Sequence, residues 1–481
     1  MTNKNETKAA ETLYQKPKGS TKTISYANKK ASAICDWIVL EKDNQPHAEM
    51  FYTYYTFGGK GRPVTFLFNG GPGASSVYLH LGAVGPYKTK LDKFGEYPAS
   101  PATIIENKES WLAFTDLVFV DPVGTGWSRD VLPKKEGDKP SSDSEFYAIE
   151  KDLDSLGAFI CQFLSTHERW LDPVFIAGES YGGFRVGHLA HRLQNKFGVG
   201  LSGAILISPA LETNFFDYKD YTVLPWIDHI PSMALSAQVL GKSRTKGSAQ
   251  EIIKQAKDLA VQKLGPIWTD PTQTLQAEKE KAYKQLADLI GLPAQFVIER
   301  HGRIDPLTFA KELLKSEHRL VSMSDATATK VDPFPHKPHC FEQDGLLDSE
   351  RLYAPTINHY LRQVLGVKTD RNYNILSMEI NGHWKQDKKK SVFDTVDGAS
   401  DQVRLGLASN PQMHVFFTHG LYDLVTPFFS TDRIVGLMTL DKELMDQVVV
   451  QHYKGGHMFY HRDDSRKAWT KDMQAFYKKA L

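Results

Sequence analysis

Three features of the 481-residue sequence predict an α/β protein: a mostly parallel central sheet flanked by helices and interrupted by a mainly helical cap. Short apolar runs recur through the first 210 residues, and glycine-rich loops follow several of them. A stretch with helical spacing separates two of these runs. Charged helical patterns then fill residues 211–370, after which strand-like runs return.

The first 24 residues are polar and read as a solvated, flexible tail. The body is expected in two parts, residues 25–210 and 371–481, with the cap at 211–370 between them. VTFLF (64–68), DLVFV (116–120), PVFIAGES (173–180) and GAILISPA (203–210) contain continuous apolar runs of strand length. Such runs mark strands covered on both faces of a parallel sheet. FYAIEKDLDSLGAFICQFLSTH (146–167) carries helical periodicity, so strands alternate with helices. In the cap, SAQEIIKQAKDLAVQKLG (248–265) and TLQAEKEKAYKQLADLIGLP (274–293) read as helices, the second stopped by Gly-Leu-Pro. Asp305-Pro306 reads as an N-cap with proline at the first helical position. MHVFFTHG (413–420) and QVVVQHY (447–453) are the late strands.

Composition narrows the function. Lys plus Arg number 58 against 57 for Asp plus Glu, a formal charge of +1, which gives no footprint for nucleic acid. No apolar stretch reaches the roughly 18 residues that would cross a bilayer. A peptide or neutral small molecule is the expected partner, and the oligomeric state is left open, a homodimer included. Cys35, Cys161 and Cys340 are odd in number and scattered, which argues against a disulfide framework. With no apolar leader at the start, cytoplasmic localisation is expected.

Gly178-Glu179-Ser180-Tyr181-Gly182 fits G-x-S-x-G, in which a strand delivers a serine to a sharp turn and a helix follows. FRVGHLAHRLQNK supplies that helix, with Phe184, Leu189 and Leu193 to pack it and a start near Gly183. Its positive end lies under the serine, where negative charge would develop. A serine hydroxyl needs a positioned base, and on this kind of sheet Asp or Glu and then His follow at later strand ends. Asp423 lies in the loop after MHVFFTHG, and His457 follows two glycines after QVVVQHY. FNGGPGASS (68–76) offers backbone amides for an oxyanion. HKPHC (336–340) lacks zinc spacing, and His188 and His191 read as packing or surface residues. No metal or cofactor is expected.

Together FNGGPGASS, GESYGG, HGLYDLVTP and GGHMFY resemble, in order and context, the serine carboxypeptidases (peptidase family S10) of the α/β-hydrolase class, and DPVGTGWS (121–128) matches a further loop. The resemblance implies Ser180 as nucleophile, His457 as general base and acid, and Asp423 as its orienter. It also implies an oxyanion hole from the amides of Gly71 and Tyr181, and substrate contacts from Asn69, Gly70 and Glu179. The expected function is that of a serine hydrolase that cleaves peptides near the C-terminus through an acyl-enzyme. Competing readings are an esterase or acyltransferase on the same scaffold, and a non-catalytic binding protein. Family members hold the substrate carboxylate with Asn and two Glu residues, whereas here Ala83 stands at the second Glu position. A lone Glu179 is therefore expected to be ionised near neutrality and to repel that carboxylate.

Overall fold

The structure, a computed structural model, describes residues 14–95, 97, 101–131, 144–212, 217–337, 349–385 and 398–481. Ten strands form the main sheet: β1 (Ser20–Tyr26), β2 (Lys29–Lys42), β3 (Gln45–Thr56), β4 (Val64–Phe68), β5 (Asp116–Val120), β6 (Arg129–Asp130), β7 (Val174–Glu179), β8 (Gly203–Ile207), β9 (His414–Gly420) and β10 (Val448–Tyr453). Their spatial order is β1-β2-β3-β5-β4-β7-β8-β9-β10, with β6 paired to β3. β1, β2 and β3 are antiparallel, and β3 runs antiparallel to β5. From β5 across to β10 every pairing is parallel.

Side chains alternate between two apolar cores, one on each face of the sheet. Phe66, Phe68, Ile176, Ala204 and Leu206 join one core with helices α1 (Ile149–Thr166) and α2 (Tyr181–Lys196). Leu67, Phe175, Ala177, Ile205 and Ile207 join the other, with Trp469, Met473 and Tyr477 of the C-terminal helix Asp463–Ala480. Burial on both faces explains the unbroken apolar runs, because neither side of these strands meets water. Phe184, Leu189 and Leu193 are all buried, as the α2 spacing requires.

Two boundaries differ from the sequence reading. The expected tail through residue 24 already includes most of β1, which pairs with β2 from Ser20↔Cys35 to Tyr26↔Lys29. Ala27 and Asn28, at φ 49° and 60°, make the tight turn, and Ile24 and Tyr26 bury their side chains. Alternating polarity in a half-covered edge strand is easily mistaken for a solvated tail. The cap has its own core, running from Trp226 to Ala326. Residues 350–367, expected in the cap, instead place Leu352, Tyr353, Ile357, Tyr360 and Leu361 in the body core beside Trp37 and Phe51. Helical spacing reveals an apolar stripe but not which core it faces.

The cap helices form as expected. Ser248 and Glu251 close a capping box on Ala249–Leu259, Gly291 ends Gln276–Ile290 in the left-handed region, and Asp305 caps Pro306–Glu312. The cap core also takes in Tyr422, Leu424, Phe428 and Phe429, which follow β9. The cap therefore packs against the C-terminal edge of the sheet.

Candidate active site

Parallel register brings the expected residues to one edge. Phe68 lies opposite Gly178, Glu179 opposite Ile207, Ile207 opposite Thr418, and Gly420 opposite Tyr453. The loops bearing Asn69, Ser180, Asp423 and His457 thus leave neighbouring strands at nearly the same level. This edge is where open α/β sheets place ligands.

Ser180 sits between β7 and α2 at φ 61°, ψ −123°. A non-glycine residue held there costs about 1–3 kcal/mol, so its surroundings must impose the geometry. The Ser180 amide donates to the Ile207 carbonyl at 2.9 Å, and its own carbonyl accepts from Gly183 at 2.8 Å and Ala210 at 3.1 Å. A Cβ on Gly178 would lie 2.1 Å from the Gly182 carbonyl oxygen, so the turn closes only with glycine there. The helix begins at Tyr181, two residues before the expected start. Ser180 stays partly accessible, while Glu179, Asp423 and His457 are buried.

His457 Nδ1 lies 2.8 Å from Asp423 Oδ2. The other Asp423 oxygen accepts the amides of Val425 at 2.7 Å and Thr426 at 3.0 Å. The Thr426 hydroxyl stands 2.9 Å from Asp423 Oδ2 and 3.2 Å from His457 Nδ1. An Nδ1 proton donated to the carboxylate leaves Nε2 as the basic nitrogen. Ser208 Oγ donates to the His457 carbonyl at 2.8 Å, joining the histidine loop to the end of β8 beside the elbow. The cap takes part too: the His457 amide donates to the Ser324 carbonyl at 2.5 Å, and the Leu424 amide to the Met323 carbonyl at 3.0 Å.

The glycine-rich loop after β4 touches the elbow directly. A Cβ on Gly70 would lie 2.4 Å from the Tyr181 amide nitrogen, so only glycine permits this approach. That contact places the glycine-rich loop directly against the start of α2. A bidentate pair holds the loop from behind, with Arg185 Nε 2.7 Å from Asp152 Oδ2 and Nη2 3.1 Å from Oδ1. Arg185 Nη1 also donates to the Asn69 carbonyl at 2.6 Å. Burial pushes the Asp152 carboxyl above its ordinary value, while Arg185 pulls it back down. Sequence reading missed Arg185, Asp152 and Thr426. Only Thr426 left a local signal, the Asp-x-x-Thr spacing of a side-chain-capped turn.

Glu179, the residue before Ser180, is buried. One carboxyl oxygen accepts from Asn69 Nδ2, and the other from the Tyr460 hydroxyl at 2.7 Å. Burial raises its pKa from 4.5 to about 7, against the lowering effect of His457 and of the Tyr460 and Asn69 hydrogen bonds. Desolvation thus outweighs the lowering contacts and holds the proton more tightly than the sequence reading expected. Ala83 lies buried in the apolar body core, in the turn Tyr78–Val84. His188 packs its ring 4.4 Å from Phe184, and His191 Nδ1 lies 3.3 Å from the Gln402 side chain. HKPHC lies partly outside the described residues, and among those described no cluster of three or more His, Cys, Asp or Glu could hold a metal.

The sequence profile of the peptidase S10 serine carboxypeptidases matches residues 37–476. The chain belongs to the serine carboxypeptidase family. The pheromone-processing carboxypeptidase KEX1 of Yarrowia lipolytica is 33% identical over 169 residues, covering 34% of this chain and 24% of that protein. The kex1 protein of Aspergillus niger is 32% identical over 169 residues, covering 33% of this chain and 23% of that protein. The aligned part thus spans about a quarter of the length of these curated relatives. The crystal structure of Kex1(Δ)p, a prohormone-processing carboxypeptidase from Saccharomyces cerevisiae, is similar at a TM-score of 0.54 and 14% identity, covering 93% of this chain and 91% of that chain. That likeness is one of fold, the α/β-hydrolase architecture.

The buried pair makes a stability prediction. Arg185→Met leaves the Asp152 carboxyl without its partner and is expected to destabilise the fold by about 3–5 kcal/mol. Urea unfolding at neutral pH measures this. A loss under 1 kcal/mol, the range of exposed pairs, would contradict the buried geometry.

Proposed function

We propose that this chain is a serine carboxypeptidase acting through an acyl-enzyme on Ser180. The observation that carries the reading is the His457–Asp423 contact of 2.8 Å at the sheet edge that also bears the strained Ser180. His457 Nε2 takes the hydroxyl proton as Ser180 Oγ attacks the peptide carbonyl, and the tetrahedral oxyanion falls to the Gly71 and Tyr181 amides. The proton then passes to the leaving amine, the C–N bond breaks, and the acyl-enzyme remains. Water, deprotonated by the same imidazole, releases the new C-terminus. Asp423 orients the ring and stabilises the imidazolium, and Thr426 steadies the carboxylate.

Asn69 and Glu179 line the place where a terminal carboxylate would dock. A protonated Glu179 donates to that carboxylate, whereas an ionised one repels it. Burial supports the first state below about pH 7. An esterase or acyltransferase reading rests on Ala83, but the protonation of Glu179 removes much of its support. A reducing cytoplasmic setting fits the unpaired Cys35 and Cys161, and no helix among the described residues is long and apolar enough to cross a membrane.

A fluorophosphonate probe is expected to label the wild type and to leave Ser180→Ala unlabelled; an unlabelled wild type would favour a binding protein. The pH dependence has a defined sign. As pH rises through about 7, Glu179 loses its proton, and KM for free-acid peptides should rise about tenfold per unit, with amidated peptides little affected. Steady-state assays from pH 5 to about 9 test this, and equal turnover of acid and amide at every pH would sink the carboxypeptidase assignment.

A further inference from the structure

Resting on that carboxypeptidase reading, the geometry points to Tyr460 as a specificity-determining positioning residue, whose hydroxyl sets the pH range over which Glu179 can receive a substrate's terminal carboxylate. Tyr460 lies three residues beyond His457, in the short turn Phe459–His461, and is completely buried. Its hydroxyl donates to Glu179 Oε1 at 2.7 Å, across 281 residues of chain. Its carbonyl accepts from Arg466 Nη1 at 2.8 Å, and its ring stacks on Trp469 with centroids 6.0 Å apart. The phenol therefore has a fixed position rather than a choice of rotamers.

Among the described residues, both hydrogen-bond partners of Glu179 are donors, the Asn69 amide on one oxygen and the Tyr460 hydroxyl on the other. While they donate, the proton of a neutral Glu179 has no acceptor among them. It must be presented to a third group, and an incoming carboxylate supplies one. When Glu179 is ionised, the same two donors stabilise the charge and so ease the loss of that proton. Tyr460 thus limits how far into the alkaline range the acid form persists.

The other groups facing Glu179 come from several elements. His457 lowers its proton affinity and Asp423 raises it. Tyr78 from the turn Tyr78–Val84 and Tyr353 from the helix Glu350–His359 both feel its charge. Arg466 acts on Tyr353. His461 binds the Tyr353 hydroxyl at 2.8 Å, and burial holds its pKa down to about 3, so it adds no charge near neutrality.

The test is the ratio of kcat/KM for a free-acid peptide to that for its amide, followed against pH, with the probe-labelled fraction as the count of folded sites. The same base serves both reactions and cancels in the ratio. Tyr460→Phe is expected to move the midpoint of the preference upward by about one pH unit. Replacing Tyr460 with 3-fluorotyrosine, a stronger donor of the same shape, should move it downward, and this arm stands if Tyr460→Phe does not fold. An unmoved midpoint in either folded variant overturns the assignment while leaving the carboxypeptidase reading intact. A wild type without any preference for the free acid overturns both.

Discussion

The backbone of Ser180, held at φ 61° and ψ −123°, is the constraint on which the site depends. A turn that sharp is not self-supporting. Three backbone hydrogen bonds hold it, from the end of β8, from α2 and from the segment after β8. The strands themselves are stiff because both faces are packed, and a packed sheet resists local relaxation. Gly70 then lies against the elbow, so the loop expected to receive an oxyanion is positioned by the same turn that presents the hydroxyl.

Two carboxyl groups near this turn have opposite surroundings. Asp423 receives donors on both oxygens, two backbone amides on one and side chains on the other, which is the environment of a group built to accept. Glu179 is just as buried but, among the described residues, has one donor on each oxygen, and desolvation dominates its titration. A carboxylate held by so many donors suits the fixing of a neighbouring ring, whereas burial lets Glu179 keep a proton close to neutrality.

Much of this was legible in the sequence, and the reason is local. Strand runs such as DLVFV and GAILI coincide with β5 and β8, and the Ser180 turn carries its own glycine pattern. What could not be read were contacts between distant segments. Arg185 meets Asp152 33 residues away, and Tyr460 reaches Glu179 across 281. Neither spacing belongs to a helix or strand period, so no pattern announces it. The proton affinity of Glu179 was not legible for a related reason: it comes from burial, which a sequence shows only once folded. Residues 350–361 fell within the expected cap, but their place in the body core depends on partners such as Trp37, more than 300 residues earlier.

The cap is commonly thought of as a cover that shapes the pocket, yet here it also braces the loops that bear Asp423 and His457. Residues 323–326 hydrogen-bond both of them: the Met323 carbonyl binds Leu424, the Ser324 carbonyl binds His457, and the Ala326 amide donates to the Tyr422 carbonyl at 3.0 Å. Arg462 adds an ion pair to Asp325 at 2.9 Å. Tyr422 and Leu424 flank Asp423 and belong to the cap core, not to either face of the sheet. A cap that merely covered the site could shift without disturbing the acid and the base. This one cannot move at 323–326 without pulling on the loops of both Asp423 and His457, because backbone hydrogen bonds tie the three segments together.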